Sequence, residues 1–86
     1  MSNKQILKRL LNEIQNYSDS RINRSEFSLY FFDTIESLEG VPFSVIDEAR
    51  EWQYKLETQG DTLHTTNRLS KALIAWVNKL LVQYAK

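Results

Sequence analysis

An all-α fold, a single-domain antiparallel four-helix bundle over residues 1–86, is predicted by three features of this chain. Apolar residues recur at helical spacing in four separate stretches. Two Gly and one Pro in 86 residues are too few for a many-turned β architecture. An apolar content of 42% supplies one hydrophobic core, and a chain of this length supports no more than one.

The first helix is expected over about 3–17. Ile6, Leu7, Leu10, Leu11, Ile14 and Tyr17 share one broad side, with Lys8, Asn12 and Gln15 opposite. Ser18-Asp19-Ser20 then reads as a turn. The second helix, about 24–39, has the strongest start signal: Asn23 as cap, Glu26 as its reciprocal partner, and Ile22 with Phe27 as a hydrophobic staple. Phe27, Phe31, Ile35 and Leu38 form its core stripe, and Gly40 is a natural left-handed terminator.

The third helix, about 43–58, follows Pro42, which either occupies its first turn or yields the cap to Ser44 with Asp47 as reciprocal partner. Val45, Ala49, Trp52 and Leu56 make a buried stripe, and Gly60-Asp61 closes the element. The fourth helix, about 66–85, begins near Thr65 or Thr66. It turns Leu69, Leu73, Trp76, Val77, Leu80 and Tyr84 inward, with Ile74 and Leu81 widening its apolar face. Short connections between amphipathic helices favour antiparallel neighbours.

Several functional classes lack their chemistry. Without Cys there is no disulfide, thiol nucleophile or cysteine-based zinc site. The longest apolar run, Ala72 to Val77, is far short of the roughly 20 residues that span a bilayer. No secretory signal pattern is visible, and the expected setting is a reducing cytoplasm. The run Gln15 to Phe27 can be aligned with a calcium-binding loop, but it places Ser20 at the obligatory Gly and leaves two carboxylates, Asp19 and Glu26. His64 is the single histidine and is expected in an exposed loop with no second metal ligand. The pairs Asp33/Glu36 and Asp47/Glu51 each share a helix face, but a bundle di-metal site needs Glu-x-x-His motifs that are missing. The expectation is a non-enzyme with no metal and no cofactor.

Charge is the more informative pattern. Residues 26–61 hold nine acidic and two basic groups, whereas residues 1–25 hold five basic and two acidic, and residues 62–86 four basic and none acidic. The basic groups at the ends are read as scattered surface cations, so no nucleic-acid partner is expected. The acidic middle, at −7, would steer a basic protein partner. Leu29 and Tyr54 sit among those acids and off the core stripes, as anchors of a binding patch would. The candidate partner-binding set is Leu29, Asp33, Glu36, Asp47, Glu48, Glu51 and Tyr54. A second possibility is self-association through Ile74, Leu81 and Val82 on an over-wide apolar face of the last helix.

Two segments carry a resemblance. Ile22-Asn23-Arg24-Ser25-Glu26-Phe27-Ser28 opens an aromatic-rich helix, and Leu38-Glu39-Gly40-Val41-Pro42 leads into Val45-Ile46-Asp47-Glu48. Over roughly residues 4–57 the chain resembles small helical bacterial immunity proteins of the colicin D type, including those protecting against contact-dependent growth inhibition toxins. The resemblance implies a cytoplasmic antitoxin that blocks a cognate basic nuclease domain with an acidic surface standing in for phosphates. The chain is expected as a monomer rather than a homodimer. Asp33, Glu36, Asp47, Glu48 and Glu51 are the matching candidates, with Tyr54 as anchor.

Overall fold

Helices α1 (Asn3–Ser18), α2 (Arg24–Glu36), α3 (Phe43–Thr58) and α4 (Leu63–Tyr84) build the computed structural model, which describes residues 2–59 and 62–85. No strand occurs among the described residues, so the chain is an all-α four-helix bundle. No helix among them is long and apolar enough to cross a membrane.

Each start except that of α3 is capped by a side chain. Ser2 and Gln5 form a full capping box on α1. Asn23 Oδ1 accepts from the Glu26 backbone N–H at 2.8 Å, while the Glu26 carboxylate takes the Asn23 side-chain amide at 2.9 Å rather than its backbone N–H. Thr62 Oγ1 accepts from Thr65 N–H at 3.1 Å. Each such cap contributes about 1 kcal/mol.

Two antiparallel pairs form the bundle. α1 packs most extensively on α4 and α2 on α3, with α1 against α2 joining the pairs. Asn3 Nδ2 donates to the Tyr84 carbonyl at 3.2 Å, and Ser18 meets Asn67 at the other end of the α1–α4 pair. In the α2–α3 pair Ser28 Oγ donates to Glu57 at 3.3 Å, and the Arg24 guanidinium bonds the Gln59 carbonyl. α3 meets α4 through side chains: the Trp52 and Trp76 rings lie 6.4 Å apart, and Trp76 Nε1 donates to Glu48 Oε2 at 3.0 Å.

Between the pairs, Leu7, Leu10, Ile14, Phe27, Phe31, Ile35, Ala49, Leu56, Leu73 and Val77 are wholly removed from solvent. Each of the larger aliphatic and aromatic side chains contributes roughly 1.5–3 kcal/mol by leaving water. Tyr17 stacks on Phe27 at 4.7 Å, and Phe31 touches both Phe27 and Trp76.

Several local expectations are corrected. α2 stops at Glu36 rather than near residue 39, because Ser37 Oγ donates to the Thr34 carbonyl at 2.7 Å and closes the last turn. The backbone of Glu39 is then held from outside its own helix. Asn3 accepts from its N–H at 2.9 Å and donates to its carbonyl at 2.8 Å. Gly40 does adopt the left-handed conformation (φ +70), but in the link to α3 instead of against the end of α2. Pro42 itself takes the N-cap position of α3 with no side-chain cap bond, so Ser44 lies within the first turn and caps nothing.

α4 begins at Leu63, three residues earlier than expected, because Thr62 supplies the cap. His64 therefore lies in the first turn of a helix, exposed, and not in a loop. Trp52 is only half-buried, since it faces the α3–α4 seam rather than the centre. Ile74 and Leu81 pack against the core, leaving Val82 as the exposed member of the trio expected to self-associate. Gly60-Asp61, expected to close α3, lies outside the described residues.

Among the described residues, three buried polar side chains interrupt the apolar interior: Ser28, Thr66 and Ser70. Ser28 bonds Glu57, but the Ser70 hydroxyl has no hydrogen-bond partner among the described residues. A buried hydroxyl without a partner carries its full desolvation cost. Ser70→Ala should therefore stabilise the bundle by about 1 kcal/mol, visible as a higher denaturation midpoint at unchanged m-value. A lower midpoint would show that the hydroxyl is satisfied in solution.

Candidate functional site

The outer surface of α2 and α3 carries the residues that the charge pattern singled out. At 100° per residue, Leu29, Asp33 and Glu36 fall within about 60° of one another on α2, roughly opposite the buried Phe31. Asp47, Glu51 and Tyr54 fall within a similar arc on α3, opposite Ala49. All six are exposed, Leu29 at 61% and Tyr54 at 68%. Leaving large apolar groups in water gains nothing for folding, so these two are available for a partner.

The pairing of the helices sets the two stripes side by side. Leu29 shares a depression of about 310 Å³ with Arg24, Ser25 and Glu57, which bridges from α2 to α3. One turn back along α3, Tyr54 lies with Arg50, Glu51, Lys55, Thr58 and Gln59 around a shallow open depression of about 440 Å³. The tyrosine ring is thus accessible from its face, with a carboxylate on one flank and cations on others.

The nine acidic groups of the middle segment do not play one role. Glu48 lies about a quarter turn from the outer stripe of α3, on the side facing α4, where it receives the Trp76 indole N–H. Glu57 is engaged by Ser28. By contrast, Asp33, Glu36, Asp47 and Glu51 take part in no salt bridge or side-chain hydrogen bond among the described residues. Lys55, one turn from Glu51, leaves that carboxylate alone: its Nζ lies 4.7 Å from the centroid of the Trp52 ring, a cation–π contact. The structure therefore brings Leu29, Asp33, Glu36, Asp47, Glu51 and Tyr54 onto one surface and gives Glu48 a structural contact at its edge.

Two residues belong to this surface that the charge pattern did not single out. Phe43 is 67% exposed at the start of α3, and Arg50 lies with its guanidinium carbon 6.0 Å from the Phe43 ring centroid. Both fall within about 40° of Tyr54 on the helix. The face therefore carries a Phe43–Arg50–Tyr54 line beside its acids. The signal in the sequence is an aromatic residue off the core stripe in the first turn of α3, seven residues before Arg50.

Elsewhere the chemistry is sparse. No group of three His, Cys, Asp or Glu side chains is placed to hold a metal ion among the described residues. Gln15 and Tyr17, which a calcium-loop alignment would use as ligands, lie within the last turns of α1. No protein-family model, curated protein or solved structure gives a significant match to this chain.

Proposed function

We propose that this protein is a non-catalytic cytoplasmic immunity protein that binds a cognate bacterial nuclease toxin domain and occludes its basic active site with the α2–α3 face. The observation that supports the reading is the set of four carboxylates unpaired among the described residues, Asp33, Glu36, Asp47 and Glu51, on the same outer stripes as the exposed Leu29 and Tyr54. Carboxylates without internal partners keep their full field for an incoming cationic surface, which raises the association rate. The apolar groups among them supply the desolvated centre that limits dissociation.

Occlusion is a task this face can perform without chemistry of its own. A nuclease active site is lined by cations that hold phosphates, and carboxylates on a rigid helical surface compete for the same cations. The helices fix their spacing, so little conformational entropy is lost on docking.

The test needs the cognate toxin domain, to be sought in the reading frame next to the one that encodes this chain. Co-expression of this chain should protect cells from that domain. The double variant Asp47→Lys/Glu51→Lys should bind it at least tenfold more weakly at about 0.1 M salt, with a smaller deficit at about 0.5 M, where screening shortens the field. Its helical circular dichroism should stay unchanged. Unaltered affinity after the double reversal would remove electrostatic occlusion, and failure to protect would remove the immunity reading itself.

A further inference from the structure

The two basic ends of the chain, far apart in sequence, belong to one layer of the fold. α1 carries Lys4, Lys8 and Arg9 against Glu13, and α4 carries Arg68, Lys71 and Lys79 with no acidic residue, so the α1–α4 pair totals +5. The α2–α3 pair totals −4 by the same count. Because α1 packs on α4 and α2 on α3, a formally neutral molecule is divided into a cationic layer and an anionic layer.

The outward surface of the cationic layer has no free carboxylate of its own. Glu13, the single acid of either helix, is half-buried and accepts a hydrogen bond from Asn16 at 3.2 Å. Lys4, Lys8, Arg68, Lys71 and Lys79 are all exposed. The cations are too sparse for a nucleic-acid groove, at six over two long helices, and the anionic layer would repel a duplex. They fit a partner face of similar size and modest negative charge.

We infer that the α1–α4 face docks onto the α2–α3 face of a second copy of this chain, in a head-to-tail contact that covers the acidic surface. Three observations favour this occupant. The two layers carry nearly equal and opposite charge on helices of comparable length. With a net charge of zero, copies have no overall repulsion to overcome. The faces span about 36 × 21 Å, a footprint near the ~800 Å² per partner of ordinary specific interfaces.

The contact is heterologous, because the two surfaces lie on opposite sides of the molecule. Association therefore continues beyond a dimer instead of closing. It also hides Tyr54 and Leu29, so the unassociated copy is the one able to take another partner on that face. The inference rests on the two faces alone and holds whatever that partner is.

Sedimentation velocity over a concentration series, at about 20 mM and about 0.3 M salt, tests it. The expected result is a weight-average sedimentation coefficient that rises with concentration past the dimer value at low salt and falls to the monomer value at high salt. Lys8→Glu/Lys71→Glu and Asp47→Lys/Glu51→Lys should each be monomeric alone at low salt, and an equimolar mixture of the two should form a complex. A monomeric wild type at low salt, a salt-insensitive association, or a mixture that stays monomeric would each overturn the proposal. So would retention of the monomeric wild type on immobilised RNA that is lost in Lys8→Glu/Lys71→Glu, which would give the cationic face to a polyanion. Toxin binding is read separately with Lys8→Glu/Lys71→Glu, which keeps the acidic face intact and leaves it uncovered.

Discussion

Replacing Phe31 by Ala should leave this protein largely unfolded near physiological temperature. Phe31 is completely buried, and its ring meets Phe27 at 6.2 Å and Trp76 at 5.8 Å, so one side chain joins α2 to the α3–α4 seam. Phe→Ala at such a site costs about 3–5 kcal/mol, from lost transfer energy and the cavity left behind. A domain of this size has a total stability on the order of 4–13 kcal/mol. Thermal unfolding followed at 222 nm should show a midpoint lower by roughly 15–30 °C, or no cooperative transition at all. Phe31→Leu, which retains most of the volume, should lose no more than about 1.5 kcal/mol. A drop under about 5 °C for Phe31→Ala would mean that the two helix pairs do not meet at this residue.

Tyr54→Ala should have the largest effect on partner binding and almost none on folding. The side chain is 68% exposed, so its removal should change stability by less than about 0.5 kcal/mol. In the proposed complex with a toxin domain, the same ring would be the desolvated centre of the contact. Aromatic anchors of that kind cost 2 kcal/mol or more when truncated, about thirtyfold in dissociation constant. Tyr54→Phe should retain most of the affinity if the ring carries the contact, and lose it if the hydroxyl does. Calorimetric titration of the three proteins separates these cases. An affinity within twofold of wild type for Tyr54→Ala would place the anchor elsewhere on the molecule.

The two predictions probe different layers of information in the chain. Phe31 was identifiable from spacing alone, because Phe27, Phe31, Ile35 and Leu38 repeat with the helical period, and all four are buried. Tyr54 was identifiable for the opposite reason: it breaks the period of the stripe Val45, Ala49, Leu56 and lies among charges. Periodicity reports where a side chain points relative to its own helix axis. It reports nothing about which neighbouring helix lies beside it. That is why Glu48 could be grouped with Asp47 and Glu51 by proximity in sequence, while in the fold it meets Trp76 of α4.

Helix ends show the same division. Asn23 and Thr62 act within three residues of themselves, and the Asn23 cap was readable directly. The end of α2 was not: Ser37 closes its last turn, and the backbone of Glu39 beyond it is held by Asn3, a residue 36 positions away. Asn3 also reaches the Tyr84 carbonyl, so one amide joins the start of α1, the link after α2 and the end of α4. A side chain that satisfies backbone groups from another helix leaves no local trace.

By itself, the sequence determined that this protein is a four-helix bundle, which side of each helix is apolar, and that negative charge is concentrated in its middle. Those properties are local: they follow from a 3.6-residue period, short-range capping bonds and composition. The tertiary structure alone decided that α1 packs on α4 and α2 on α3. Through that pairing, scattered cations at the two ends became one layer, and the acids of two helices became one face. Long-range packing sets such neighbourhoods, because core side chains must interdigitate to exclude water, and the charged residues are carried wherever that packing places their helices.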